Sequence, residues 1–271
     1  MDAYITGGRL GDAVHALYVI KEKYMSTGRI GDLYLSLNFE KYGGDKFNFP
    51  IEVTQYELQE FLFQCCPYIH KVYILEEDES NLDLEKYHEV INLNNWRNFR
   101  PGSRDWLTLL QDAYDITYNI HPWFYPSPLW FMRPNSKPYV AIHKSIHRTN
   151  YKFPWMEILE HYKAKGYDVF FVSSTPEVEY EYFLCKDHVF LHHCHSIIEM
   201  AYWIYHSEVF IGNLSSPLAM STAFGKTSII EMPNDDWLSA ISYLNSRLCR
   251  GQLYWFISNK KKRLPKDINI P

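Results

Sequence analysis

The stretch Phe210-Ile211-Gly212-Asn213-Leu214-Ser215-Ser216-Pro217-Leu218 runs from an apolar segment through a serine turn into a helical pattern. At the other end of the chain, Gly7-Gly8-Arg9-Leu10-Gly11-Asp12-Ala13-Val14-His15 does the same through a glycine turn. A short apolar run, a Gly or Ser turn and then a 3.6-residue pattern read as a strand feeding a helix. Two such junctions, one near each end, predict two α/β units facing a cleft. The first turn carries a carboxylate and the second offers hydroxyls and free amides to an anion. A transferase using a phosphorylated donor has that layout.

Outward from the second junction the alternation is regular. Strands are expected over 139–143, 168–172, 189–191, 209–212 and 228–231, with helices over 155–165, 176–184, 197–205 and 218–224. Gly166 and Gly225 stand where helices end, and Pro176 where one begins. Val169-Phe170-Phe171-Val172 is wholly apolar, as a parallel strand covered on both faces should be. Outward from the first junction, strands are expected over 3–6, 32–37, 71–75 and 89–93, and helices over 13–24, 56–65 and 106–113. Between the halves, 119–137 contains Pro122, Pro126, Pro128 and Pro134, with Pro138 directly after it. That density of proline opposes any regular element and fits a linker; a proline-rich loop within one domain is the alternative. The fold class is α/β, two Rossmann-like domains over 1–130 and 138–256, with a basic tail over 257–271 that contains Lys260-Lys261-Lys262-Arg263.

The chain has 271 residues and a net charge of -5, so no broad basic field points to nucleic acid. Cys65, Cys66, Cys185, Cys194 and Cys249 are odd in number and include an adjacent pair, which fits reduced thiols. No signal peptide and no long apolar span are visible, so a cytoplasmic location without integral membrane contact is expected.

Asp12 is the first candidate for chemistry. Transfer to a hydroxyl needs a base as the new bond forms, and a carboxylate at the cleft can supply it. The competing reading is a helix N-cap, which would engage the same lone pairs. Gly11 fits a turn where the backbone approaches another group. His15 lies one helical turn from Asp12, either toward an acceptor or packed. Ser215 and Ser216, followed by Pro217, form a helix start suited to a diphosphate. The cations available after the strand ending at His143 are Lys144, Arg148 and Lys152. Trp123, in the aromatic linker, either stacks on an acceptor or packs between domains. The run His192-His193-Cys194-His195 lacks a second ligand cluster at a usual spacing, so no metal site is expected. Ser196 with Glu199 reads as a capping box. Lys226-Thr227 after Gly225 lacks the Gly-rich loop of a P-loop.

Arg9-Leu10-Gly11-Asp12-Ala13, Val140-Ala141-Ile142-His143, Lys152-Phe153-Pro154-Trp155, Ser196 to Ala201, Ser207 to Gly212 and Ala223-Phe224-Gly225-Lys226-Thr227 follow one another in a familiar order. In these motifs the chain resembles GT-B glycosyltransferases, near the ADP-heptose:lipopolysaccharide heptosyltransferases. The resemblance covers the first 20 residues and most of 139–232. It implies a nucleotide-sugar donor in the C-terminal domain and a hydroxyl acceptor in the N-terminal domain. It implies a base role for Asp12 and a donor-phosphate contact for Lys152; Gly11, His15 and Trp123 are the acceptor-side candidates from the residue reading above. Analogy with the wider fold adds His193 and Glu231 near the nucleoside, and Asn213 is taken with Lys144, Arg148, Lys152, Ser215 and Ser216 as a donor-binding residue. The matching stretch Asn213-Leu214-Ser215 departs from the family's Asp-Thr-Gly, and Leu218 stands where a His is usual. ADP-heptose itself is therefore not carried over. No cofactor beyond the sugar nucleotide is expected, and the transfer needs no metal. The acceptor stays open among a saccharide, a lipid-linked glycan, a small molecule, a protein and a modified nucleic-acid base.

Two other classes remain. One is a non-catalytic nucleotide- or glycan-binding module on the same fold, which the changed Asn213-Leu214-Ser215 stretch favours. The other is a Rossmann-type epimerase or oxidoreductase. The oxidoreductase wants an acidic ribose anchor at the end of the second strand, whereas Asp32 begins it.

Overall fold

A computed structural model of the chain describes residues 1–7, 10–36, 55–75, 82–98, 106–116, 122–146, 149–151, 153–231 and 253–256. The first unit contains β1 (Asp2–Gly7), α1 (Leu10–Thr27), β2 (Gly31–Ser36), α2 (Gln55–Cys65), β3 (Ile69–Leu75), β4 (Val90–Asn92) and α3 (Trp106–Tyr114). Its strands form a parallel sheet in the order β3-β2-β1-β4. The second unit contains β5 (Tyr139–His143), α4 (Trp155–Ala164), β6 (Asp168–Ser173), the single-turn α5 (Pro176–Glu179), β7 (Phe190–His193), α6 (Ile197–His206), β8 (Val209–Asn213), α7 (Ser216–Ala223), β9 (Thr227–Glu231) and β10 (Leu253–Phe256). Its parallel sheet has six strands in the order β10-β9-β8-β5-β6-β7. The expected class, two Rossmann-like α/β units, is the observed one.

In each sheet the winding reverses at the first strand, between β1 and β4 in one and between β5 and β8 in the other. Open parallel sheets place ligands outside the carboxyl ends of strands at such switch points. α1 leaves the end of β1, and α7 leaves the end of β8.

The units share a core. Nearly every residue of α1 from Ala13 to Glu22 is buried; only His15 is half-buried. Over this stretch α1 has no solvent face, with the first sheet on one side and the second unit on the other, and its buried Lys21 and Glu22 pair with each other at 2.5 Å. α7 is its counterpart, with Pro217 to Ala223 all buried. Its small side chains allow close approach: a Cβ built on Gly11 would lie 3.5 Å from the Ser216 Cα and 3.9 Å from the Ala219 Cβ. One continuous apolar cluster runs from Leu17 and Phe61 through Trp123, Phe124 and Trp130 to Ala201, Met220 and Phe224.

The proline-rich connection stitches the units together. The Trp123 indole donates to the Val14 carbonyl at 2.8 Å, and the Trp123 and Phe124 amides both donate to the Ala223 carbonyl at 3.1 Å. The Tyr125 amide donates to the Cys65 carbonyl at 2.8 Å. Gly225 ends α7 at φ +68, and a Cβ there would come within 2.9 Å of the Pro122 ring.

Several local expectations are corrected. The helix expected over 176–184 is one turn, because Tyr182 and Leu184 are exposed while Phe183 and Cys185 point inward, leaving no continuous apolar face. β7 extends to His193, so that residue ends a strand instead of starting the following loop. α1 begins at Leu10, which puts Asp12 inside the first turn and removes it from the cap position. β10 is an additional strand. The tail over 257–271, Gly8, Arg148, Lys152 and Cys249 lie outside the described residues.

Candidate functional site

The carboxyl ends of the second sheet form a rim of polar residues. β5 ends at His143, β6 at Ser173, β7 at His193, β8 at Asn213 and β9 at Glu231. Ladder pairing aligns Ser173 with His193, His143 with Gly212, and Asn213 with Glu231. Gly212 is required for this spacing, because a Cβ there would sit 2.5 Å from the His143 carbonyl oxygen.

Much of this rim is internally paired. The Lys144 ammonium meets Glu231 Oε1 at 3.2 Å, and the same oxygen accepts the Asn150 amide at 2.6 Å. Glu231 is fully buried, and Lys144 nearly so. Burial raises the Glu231 carboxyl above the usual range, opposed by Lys144 and the Asn150 amide. Two residues expected to face a donor thus face each other. Asn213 is also fully buried; its side chain accepts from the Ser145 amide at 3.1 Å and donates to the Ser145 carbonyl at 2.7 Å. His193 is exposed at the end of its strand, its ring 4.5 Å from that of His195.

Sequence reasoning did not select a third group on this rim. His143 is buried, with Nδ1 3.0 Å from the Val172 carbonyl and Nε2 3.4 Å from Glu179 Oε1. The Ser173 hydroxyl donates to Glu179 Oε2 at 2.5 Å. The signal was positional, since His143 and Ser173 each end a strand.

At the mouth of the second unit, Ser215 occupies the cap position of α7 with extended backbone. Its hydroxyl turns back to the Asn213 carbonyl at 3.1 Å and makes no hydrogen bond into the first turn of α7. Ser216 begins the helix and is half-buried. Across from it stands the first turn of α1, with Gly11 against Ser216 and Asp12 half-buried beside it. Two helix N-termini from opposite sheets therefore meet at one place. Each carries positive dipole potential, which favours an anion.

His15 follows Asp12 by one turn, and its ring centroid is 6.3 Å from that of Trp123. Burial lowers its pKa to about 4 against the opposing charge of Asp12, so its ring is neutral at pH 7. Trp123 is fully enclosed, with its indole N–H bonded to Val14. The expectation that Trp123 stacks on an acceptor is corrected: its faces are covered by the shared core, including Tyr18 edge-on at 5.6 Å. Ser196 caps α6 by accepting from the Glu199 amide at 3.1 Å, while Glu199 also holds the His195 amide and the His192 ring. Among the described residues, no group of three His, Cys, Asp or Glu side chains is arranged to hold a metal ion, and no helix is long and apolar enough to cross a membrane.

No protein-family model and no curated protein sequence matches the chain. Solved structures do resemble it. A glycosyl transferase family 9 protein from Veillonella parvula superposes with a TM-score of 0.58 at 10% identity, over 96% of this chain and 88% of that one. The ADP-heptose lps heptosyltransferase II of E. coli superposes with a TM-score of 0.56 at 10% identity, over 85% of this chain and 84% of its own. The E. coli heptosyltransferase WaaC with ADP gives a TM-score of 0.54 at 11% identity, over 97% and 96%. At such identities the likeness is one of fold, and it agrees with the two opposed parallel sheets described above: the chain has the GT-B architecture.

Proposed function

We propose that the protein is a glycosyltransferase that moves a sugar from a nucleotide-sugar donor to a hydroxyl acceptor. The observation that carries this reading is the meeting of the first turns of α1 and α7, where Gly11, next to Asp12 in the chain, lies against Ser216. A leaving nucleoside diphosphate gains negative charge as the bond to the sugar breaks. The two helix N-termini meet that charge, with cations of the segment after β5 contributing. The transfer needs no metal on this reading. Asp12 takes the proton of the attacking hydroxyl. Lys152 and Arg148 are proposed as further phosphate contacts, His193 as a neighbour of the nucleoside, and Gly11 and His15 as the acceptor side of the cleft. The protein acts in the cytoplasm on this reading.

The testing experiment is a screen of ADP-, GDP-, UDP- and CDP-linked sugars for binding and turnover, followed by Asp12→Asn with the active donor. Turnover should fall roughly 10²–10⁴-fold with donor affinity and thermal midpoint nearly unchanged. A variant that works at near wild-type rate removes Asp12 from catalysis. Lys152→Ala should weaken nucleoside diphosphate binding by about 1.5–3 kcal/mol; unchanged affinity removes it from the site.

A second reading is a binding module on the same fold. The mutual engagement of Lys144 with Glu231 and of Asn213 with Ser145 favours it. Binding without turnover of any donor across a broad acceptor panel would establish it.

A further inference from the structure

We propose that Asn213 is a positioning residue whose amide extends the β5–β8 ladder by one rung and so fixes the loop after β5. This deepens the donor-site reading, on which it rests for its functional meaning, because that loop begins with Lys144. The last paired residues of the ladder are His143 and Gly212. One step further on, the side chain of Asn213 replaces the backbone. It gives a hydrogen to the Ser145 carbonyl at 2.7 Å and takes one from the Ser145 amide at 3.1 Å.

The chemistry demands an amide. The Asn213 side chain is fully buried while Ser145 is half-buried, so the amide makes these bonds from the interior. The Ser145 backbone offers one donor and one acceptor, and a side-chain amide offers the complement. An ionised carboxylate of the same shape has no hydrogen to give. It would set a negative oxygen against the Ser145 carbonyl in a buried site. A second tie stands alongside: Glu231, paired with Asn213 across the β8–β9 ladder, holds Lys144 and the Asn150 amide through one oxygen. Residues 144, 145 and 150 are thus fastened to the ends of two neighbouring strands.

The test is hydrogen–deuterium exchange on the full chain, comparing wild type, Asn213→Asp and Asn213→Ala, with calorimetry of ADP, GDP, UDP and CDP binding. At neutral pH both variants should exchange the Ser145 amide about tenfold or more faster, while 139–143 keeps its protection. On acidification, Asn213→Asp should return toward wild-type protection measured at the same pH, because a protonated carboxyl again carries one donor and one acceptor. Asn213→Ala should not recover. If Asn213→Asp fails to fold, Asn213→Ala decides. Wild-type protection of the Ser145 amide in either folded variant overturns the clamp, as does the absence of acid recovery in a folded Asn213→Asp. Nucleoside diphosphate affinity should fall about tenfold in Asn213→Ala. Unchanged affinity with a loosened loop overturns the positioning role. A wild-type protein that binds none of the four nucleotides overturns the donor-site reading, and the exchange result still decides the clamp.

Discussion

Replacing Trp123 tests whether the two units form one cooperative body. Its indole donates to Val14 of the first unit, its backbone amide donates to Ala223 of the second, and no part of it reaches solvent. Trp123→Phe keeps the backbone bond and most of the aromatic area. It loses the indole hydrogen bond, which is worth about 1 kcal/mol, and leaves a small void. The sum should be about 1.5–3 kcal/mol of destabilisation, and Trp123→Ala should cost about 3–5 kcal/mol. The assay is urea unfolding followed by far-UV circular dichroism and by tryptophan fluorescence. Wild type should show one transition coincident in both probes, because the apolar cluster is continuous across the units. Acceptor stacking would predict the reverse pattern, with little stability change and a raised acceptor KM. A Trp123→Phe variant within about 0.5 kcal/mol of wild type would refute the packing argument. Two resolved transitions in wild type would refute the shared core.

Other expectations follow from single groups. His15 has its pKa lowered to about 4 in the folded protein, so the unfolded chain binds its proton first as pH falls. Its contribution is flat above about pH 6.5 and turns destabilising between pH 6.5 and 4, by up to about 3 kcal/mol. His15→Asn should therefore gain urea midpoint relative to wild type from pH 7 to pH 4.5; an unchanged offset would place His15 in water. Gly212→Ala drives a Cβ to 2.5 Å from the His143 carbonyl, which cannot yield without breaking the β5–β8 pairing. A loss of about 2 kcal/mol or more in thermal or urea unfolding is expected, and a neutral result would contradict the register.

The fold was legible because periodicity is local. The strands 139–143, 209–212 and 228–231 sit within a residue or so of their observed limits, since each is a short apolar run closed by a turn or followed by a polar loop. Helix 176–184 failed for a reason that composition hides: its apolar residues do not fall on one face once Tyr182 and Leu184 turn outward. The start of α1 was misplaced because residues before Ala13 lack the apolar repeat, although Leu10 is buried. Trp123 was readable as an aromatic in a linker, but only the crossing of α1 and α7 shows that the linker runs through a core.

Site residues were legible as positions and much less so as roles. Strand ends can be read from sequence, and the carboxyl-end rule then marks His143, Asn213 and Glu231 as rim residues. What each side chain does there depends on partners brought in by the ladder. Asn213 meets Ser145 across a separation of 68 residues, and Glu231 meets Lys144 across 87. No local pattern encodes either pairing. An uncharged amide at 213 reads from sequence as a missing carboxylate, a mark of lost chemistry. Beside the Ser145 carbonyl, the same residue is the side chain of that shape that can both give and take a hydrogen bond at neutral pH. Its departure from the related motif thus follows from where the β5 loop lies, and a bound donor would have to be held by the groups that these ties leave exposed on the rim.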